Sequence, residues 1–279
     1  ILSIFIILKL INFLMLFEGV LTKMQTEFAE PVNYYLKLGN DFVQLRQIIK
    51  KRIKIKFLGY ECLGCQSDQQ TYRQGFCKTC FFDLPQTADW IMHPEKSKAH
   101  LDIEDRDLEY EKKIQLQPHV LYLANSSNIK VGVTRKNQTL SRWIDQGATQ
   151  AMEILELPNR YLAGIAEVSL KSIISDKTNW REMLKGIAPS EDLAYHRDKL
   201  IPFLPSEVKE FIVTNNNSTS IKFPVERYPL NPKSLNLNKS SIYEGTLMGL
   251  KGQYLIFDDD TVFNIRSNEG IIVGLDIYY

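Results

Sequence analysis

The sequence predicts an α+β fold in which strands from both chain ends build one small β-barrel or curled sheet. Two strand-rich stretches, residues 18–60 and 221–279, each contain too few strands to bury a core alone, so we expect them to pair. Residues 115–200 show a hairpin pattern and then alternating helix and strand patterns, which predicts a separate β-β-α-β-α domain. A cluster of four cysteines marks a third part, residues 61–100.

Composition limits the classes of protein that this chain can belong to. A chain of 279 residues holds one large domain or two to three small ones. Its hydrophobic fraction of 44% and its charged fraction of 24% are typical of a globular protein. The net charge of +1 gives no bulk attraction to nucleic acid or to membranes, so any such binding must come from local patches.

Residues 1–17 form an almost wholly apolar stretch with Lys9 near its centre. The stretch is shorter than the ~20 residues that span a bilayer. It also lacks the basic region and the small-residue cleavage site of a secretory signal. We interpret it as an upstream extension of the reading frame, with the true start at Met15 or Met24. An N-terminal hydrophobic membrane anchor is the alternative, and we prefer the interpretation without a membrane.

Residues 49–57 alternate apolar and basic side chains, which predicts a strand with one buried face and one basic face. Six basic residues lie between Arg46 and Lys56. A solvated strand face is one interpretation, and a surface that contacts phosphates is the other. Near the C-terminus, further strands are predicted over 245–250, 253–257, 261–265 and 270–277.

The four cysteines are spaced as Cys62-x2-Cys65-x11-Cys77-x2-Cys80. Two such pairs supply four sulfur ligands from two tight turns, which is the pattern of a structural Zn²⁺ site. Gly64 inside the first pair and Gly75 just before the second fit these turns. The spacing therefore predicts a zinc-ribbon-like module over residues 61–100, with zinc stabilising the fold.

Disulfides are the alternative use of these cysteines. They require an oxidising compartment, and we identify no credible export signal in the sequence. We therefore expect a cytoplasmic protein whose cysteines bind metal.

The elements of the central domain follow from local patterns. Strands are predicted over residues 119–124 and 129–134, joined by a polar turn. A helix over residues 140–146 follows, with Thr139 as its N-cap and Gly147 after its last turn. Next come a strand over 152–157 and a helix capped by Asn159. Residues 201–220 contain two prolines and a polar run, which predicts a linker.

Polar residues of this domain form a candidate site, and Glu167 is the most informative of them. It interrupts the apolar pattern of its helix, so its carboxylate must be hydrogen-bonded, ion-paired or bound to a metal. The other candidates are Tyr122 on the first strand, Lys130 on the second, Arg142 on the first helix and Asn179 after the second helix. A plain buried ion pair between Arg142 and Glu167 is the alternative.

These residues resemble the GIY-YIG endonuclease domain. The resemblance rests on Val120-Leu121-Tyr122, Lys130-Val131-Gly132, Arg142, Glu167 and Asn179, and it covers roughly residues 118–181. It implies a three-stranded antiparallel sheet with the two motifs on adjacent strands. It also implies hydrolysis of phosphodiester bonds in DNA or RNA.

The nuclease resemblance implies a role for each residue. Glu167 would hold Mg²⁺ or Mn²⁺, Tyr122 would position or deprotonate the attacking water, and Arg142 would offset charge on the phosphate. The chain departs from the family at Lys130, where a tyrosine is expected. A lysine could stabilise a phosphate or lower the pKa of Tyr122, but it does not repeat the role of a phenol.

The whole chain is also similar to an uncharacterised bacterial family, the domain-of-unknown-function family 2797. The matching runs are the cysteine quartet with residues 74–77, then 119–135, 142–148, 176–181 and 251–255.

Two functions from different classes follow from these observations. The first is a metal-dependent nuclease that acts on DNA or RNA. The second is a non-catalytic, zinc-containing nucleic-acid-binding or adaptor protein that keeps a degenerate nuclease scaffold. The replacement of tyrosine by Lys130 is the feature that separates the two.

Overall fold

The computed structural model describes residues 14–174, 178–188, 190–215 and 217–279. Two compact units divide the chain. The first unit is formed by Ile1–Gln25, Asn33–Cys77 and Pro224–Tyr279, and the second by Thr26–Val32 and Lys78–Phe223. Residues 1–13 of the apolar N-terminal stretch lie outside the described residues, whereas residues 14–17 belong to a strand.

Strands and helices both contribute, as expected for an α+β protein. The strands are β1 (Leu14–Val20), β2 (Gln25–Glu27), β3 (Asn33–Leu38), β4 (Asp41–Gln44), β5 (Arg52–Tyr60), β6 (His119–Asn125), β7 (Ile129–Arg135), β8 (Gln150–Leu157), β9 (Thr219–Ser220), β10 (Lys233–Ser234), β11 (Ile242–Lys251), β12 (Tyr254–Phe257), β13 (Thr261–Asn264) and β14 (Ile271–Tyr278). The helices are α1 (Lys78–Asp83), α2 (Leu108–Gln115), α3 (Thr139–Asp145), α4 (Arg160–Lys171), α5 (Trp180–Leu184) and α6 (Leu193–Leu200). No described helix is long and apolar enough to cross a membrane.

The first unit is built on a seven-stranded sheet in the order β1-β14-β5-β11-β12-β13-β10. Strand β5 pairs antiparallel with both β14 and β11, so the early and late parts of the chain share one sheet. In the described residues this sheet has two free edges, β1 and β10, and does not close into a barrel. The described residues therefore form an open sheet and not the barrel, which was one of the two predicted forms.

The basic face of β5 carries acidic partners. Ile53 and Ile55 are buried on one face, as the alternation predicts. On the other face the Lys56 Nζ atom lies 2.7 Å from Asp276 Oδ2. Lys50 and Arg52 likewise pair with glutamates, at 2.7 and 2.6 Å. Three of the six basic side chains between Arg46 and Lys56 are thus neutralised, which favours the structural interpretation over phosphate contact.

The second unit contains a four-stranded sheet in the order β7-β6-β8-β9. Strand β6 is central and pairs antiparallel with β7 and with β8. Along the chain the order is β6, β7, α3, β8, α4, which is the predicted β-β-α-β-α order. Side chains of this sheet and of α4 and α6 share a buried core that includes Leu121, Ala166 and Leu200.

Two local details of the second unit differ from the prediction or extend it. The N-cap of α3 is Gln138, not Thr139, because the Thr139 hydroxyl donates instead to the carbonyl of Lys136. Gly147 adopts a φ of +67° after α3, and Asn159 caps α4, both as predicted. Residues 201–220, predicted as a linker, contain Leu204 and Val208, which are buried in the core.

Candidate functional site

The four cysteines form a compact cluster. Their sulfur atoms all lie within 4.8 Å of one another, and the Cys65 and Cys77 sulfurs are 3.9 Å apart. Tetrahedral coordination with bonds of about 2.3 Å places sulfurs about 3.8 Å apart. The described cysteines are not joined by disulfides. The cluster could therefore hold a metal ion such as zinc.

Backbone geometry prepares Cys62 to act as a thiolate ligand. Burial opposes its ionisation, but backbone N–H groups of Cys77, Cys65 and Gly64 outweigh burial and lower the pKa of Cys62 to about 6. The left-handed residues of the two turns are Gln66, Gln74 and Gly75. Gly75 therefore serves a turn as predicted, whereas at the first turn the left-handed residue is Gln66, just after Cys65, and not Gly64.

Tyr122 is fully buried on β6 and lies across from Gly132 on β7. A Cβ atom at position 132 would be 2.6 Å from the Tyr122 hydroxyl oxygen, so a glycine is required there. The Tyr122 ring also packs edge-on against Trp143, with centroids 6.1 Å apart. These contacts hold the Tyr122 ring against β7, at the second motif, Lys130-Val131-Gly132.

Electrostatic interactions link Tyr122 with Arg142 on α3 and Glu167 on α4. Burial raises the pKa of Tyr122, and Glu167 acts in the same direction against the opposing effect of Arg142. Burial disfavours the charge of Arg142, but attraction to Tyr122, Asp145 and Glu167 raises its pKa overall. The structure thus joins three of the five predicted residues and leaves the phenol protonated at neutral pH.

Glu167 is surrounded by cationic groups. It is 8% exposed, and its Oε2 atom lies 3.3 Å from the Nζ of Lys171 one turn later. It also interacts with Arg160, whose pKa is lowered to about 10 by burial. A single carboxylate fits Mg²⁺ or Mn²⁺ when substrate phosphates and waters complete the coordination. Among the described residues, the groups of three or more clustered ligand side chains consist of the cysteine quartet alone.

Lys130 and Asn179 occupy different settings. Lys130 is buried on the same face of the sheet as Tyr122, and its Nζ donates to the hydroxyl of Thr178. Asn179 is exposed and caps α5, since its side-chain oxygen accepts from the backbone N–H groups of Arg181 and Glu182 at 3.1 and 3.4 Å. The helix cap gives Asn179 a structural role.

Sequence reasoning missed Arg160 and Thr178. The Arg160 guanidinium donates to the carbonyls of Trp90 and Ile91, at 3.1 and 2.7 Å, and interacts with Glu167. Its position seven residues before Glu167, about two helical turns, is the signal that places it on the same face. Thr178 gives no local signal, because its contact with Lys130 joins residues 48 positions apart.

His119 is buried at the start of β6. Its Nδ1 atom lies 2.7 Å from the carbonyl oxygen of Gln117. Burial lowers the pKa of His119 to about 4, and Arg160 and Arg135 act in the same direction. The ring is therefore neutral at pH 7, with Nδ1 donating to Gln117, which indicates a structural histidine.

This neutral histidine predicts a loss of stability in mild acid. The unfolded chain takes up a proton near pH 6.5, which the folded chain resists until about pH 4. Stability contributed by His119 is complete above about pH 6.5 and falls by about 3 kcal/mol as the pH drops to 4. Urea unfolding of His119→Gln should show a shallower fall between these pH values than the wild type. His93→Gln, at an exposed histidine, is the control, and an unchanged slope in His119→Gln would contradict the prediction.

Comparison with known proteins identifies the family of this chain. The family model described as "Protein of unknown function (DUF2797)" matches residues 50–273, which include the cysteine cluster, the four-stranded sheet and most of the seven-stranded sheet. The chain belongs to this family. The searches of curated proteins and of solved structures find no match.

Proposed function

We propose that this protein is a metal-dependent nuclease that hydrolyses phosphodiester bonds in DNA or RNA, with a GIY-YIG-like active site on β6, β7, α3 and α4. The observation that supports the proposal is the convergence of Tyr122, Arg142 and Glu167 from three separate elements. A tyrosine, a guanidinium and a carboxylate that interact electrostatically are groups with which a nuclease orients water and offsets the charge of a phosphate.

Each residue then has a defined task. Tyr122, kept protonated by burial, positions the attacking water through its hydroxyl. Arg142 offsets the negative charge that builds on the phosphate, and Lys130 adds a second positive charge on the same face. Glu167 would hold Mg²⁺ or Mn²⁺, which when bound polarises the scissile phosphate.

We infer that the cysteine cluster holds structural zinc. Four thiolates in a closed set are typical of structural zinc sites, whereas catalytic zinc sites keep one position open for water. The lowered pKa of Cys62 and the sulfur separations support this inference. Zinc would then stabilise the fold without taking part in hydrolysis.

A second function is favoured by two contacts. Lys130 already binds the hydroxyl of Thr178, and Glu167 already pairs with Lys171. These contacts complete the site internally, as expected for a non-catalytic nucleic-acid-binding or adaptor protein built on the same scaffold.

Cleavage assays separate the two functions. The purified protein is incubated with plasmid, single-stranded DNA and RNA, with Mg²⁺ and with Mn²⁺. For a nuclease, Glu167→Gln and Arg142→Ala should each reduce cleavage by about 100-fold or more. Glu210→Gln, at an exposed glutamate of the same unit, should retain full activity. Salt-sensitive binding without cleavage in either metal would establish the second function and exclude the first.

A further inference from the structure

A cavity with a volume of about 610 Å³ lies beside α3 in the second unit. Its charged side chains are Lys136 and Glu153, which pair with each other at 2.8 Å. Its remaining lining is uncharged and combines aromatic, aliphatic, amide and hydroxyl groups, among them Thr26, Phe28, Asn137, Leu140 and Trp143. Such a lining suits a flat, neutral ligand with polar edges.

Two polar atoms of the lining have no hydrogen-bond partner among the described residues. They are the Nε1 of Trp143, a residue that is 4% exposed, and the Oγ1 of Thr26. A buried indole N–H or hydroxyl without a partner costs about 1–3 kcal/mol, so its retention needs an explanation. An indole N–H is a donor only, which means that the partner it lacks is an acceptor atom.

Trp143 also connects the cavity to the candidate active site. One part of this residue lines the cavity, and its ring packs edge-on against Tyr122. A ligand bound in the cavity is therefore separated from the candidate catalytic tyrosine by one side chain.

We propose that this cavity binds one unpaired nucleobase of a single-stranded DNA or RNA segment. Base carbonyls accept from Trp143 Nε1 and Thr26 Oγ1, and the amide of Asn137 reads the base edge. Both atoms are buried, so binding of a base includes a side-chain adjustment that exposes them. This proposal rests on the proposed function, in which the substrate is a nucleic acid, and adds that the bound segment is single-stranded.

Fluorescence anisotropy with the full-length protein tests the base pocket, without added divalent cation. The probes are labelled dU, rU and abasic oligomers of about 12 nucleotides. Wild-type protein should bind the base-bearing oligomers at least about 10-fold more tightly than the abasic one. The dU and rU probes differ in the 2′-hydroxyl and distinguish DNA from RNA.

Two conservative variants remove the unpaired donors. Trp143→Phe and Thr26→Val should each weaken binding of the base-bearing oligomers by about 3- to 10-fold, since each removes one hydrogen bond. Thr26→Val should keep the wild-type melting temperature, because no internal hydrogen bond is lost. Trp143→Phe shortens a buried ring that packs against Tyr122, so its melting temperature should fall and its affinity is measured well below that temperature. Trp180→Phe, outside the cavity, is the matched control and should leave affinity unchanged.

Several outcomes would overturn the base pocket. These are equal affinity for the abasic oligomer, failure of all oligomers to bind, loss of affinity in Trp180→Phe equal to that in Trp143→Phe, or a clear drop in the melting temperature of Thr26→Val. Binding with the expected variant effects but without cleavage keeps the base pocket and removes the nuclease. Cleavage that is unchanged in both pocket variants keeps the nuclease and removes the base pocket.

Discussion

Replacement of Cys77 by serine should abolish the zinc binding that we propose and unfold the cysteine module. Cys77 is buried, and its backbone N–H donates to the sulfur of Cys62 at 3.1 Å, so the two pairs depend on each other. Structural zinc contributes about 10–16 kcal/mol of apparent binding energy in small zinc domains. This binding energy is as large as the free energy of unfolding of a typical domain, which is roughly 5–15 kcal/mol. Thermal unfolding and metal analysis by mass spectrometry measure both effects.

The chain offers a close control for this experiment. Ser67 lies 3.2 Å from the sulfur of Cys65 but supplies no ligand to the cluster. Ser67→Ala should keep one zinc per chain and nearly the wild-type melting temperature. A strong chelator should lower the melting temperature of wild type and Ser67→Ala alike, with little further effect on Cys77→Ser. A metal-free wild-type protein that melts normally would exclude the zinc site.

Gly164→Ala should destabilise the second unit by about 3 kcal/mol or more. Gly164 lies on α4, where the helix packs against the turn Pro94–Lys96. A Cβ there would be 2.1 Å from the backbone nitrogen of Glu95, and a backbone atom has no rotamer by which to move away. Overpacking therefore outweighs the gain of about 1 kcal/mol that alanine brings to a helix. Urea unfolding at pH 7 measures the difference.

Gly274→Ala is the matched control for this change. Gly274 lies in β14, and a Cβ there would meet its nearest atoms at 3.6–3.8 Å, which is ordinary contact. The control should change stability by less than about 1 kcal/mol. Equal changes in the free energy of unfolding in Gly164→Ala and Gly274→Ala would contradict the prediction that close packing excludes a side chain at Gly164. A displaced α4 in Gly164→Ala should also reduce any cleavage activity, because Glu167 lies on the same helix.

The sequence predicted most strands and the main helices of the central domain, because alternation, caps and turns are local signals. The strands near the C-terminus and the β-β-α-β-α order are present as expected. The cysteine spacing likewise predicted a cluster that could hold a metal. Prediction was less accurate at the ends of elements, as at Thr139, which is the first residue of its helix and whose hydroxyl donates to the carbonyl of Lys136.

The candidate site was predictable only in part. Tyr122, Arg142 and Glu167 were identified from a polar residue in an apolar pattern and from the family resemblance, and the structure links them. The contacts of Lys130 with Thr178 and of Arg160 with Glu167 were not predictable, since each depends on how an element packs. Asn179 matched the spacing of the resemblance but caps a helix.

The sequence alone determined the strand and helix periods, the cysteine quartet that could hold a metal, and the family. Tertiary structure decided which strands pair, as when β5 joins β14 and β11 from the far end of the chain. It also decided that position 132 must be glycine, because the Tyr122 hydroxyl occupies the space of a Cβ. The physical reason is that hydrophobic period and turn chemistry act over a few residues, whereas steric fit and charge pairing act between segments that only folding brings together.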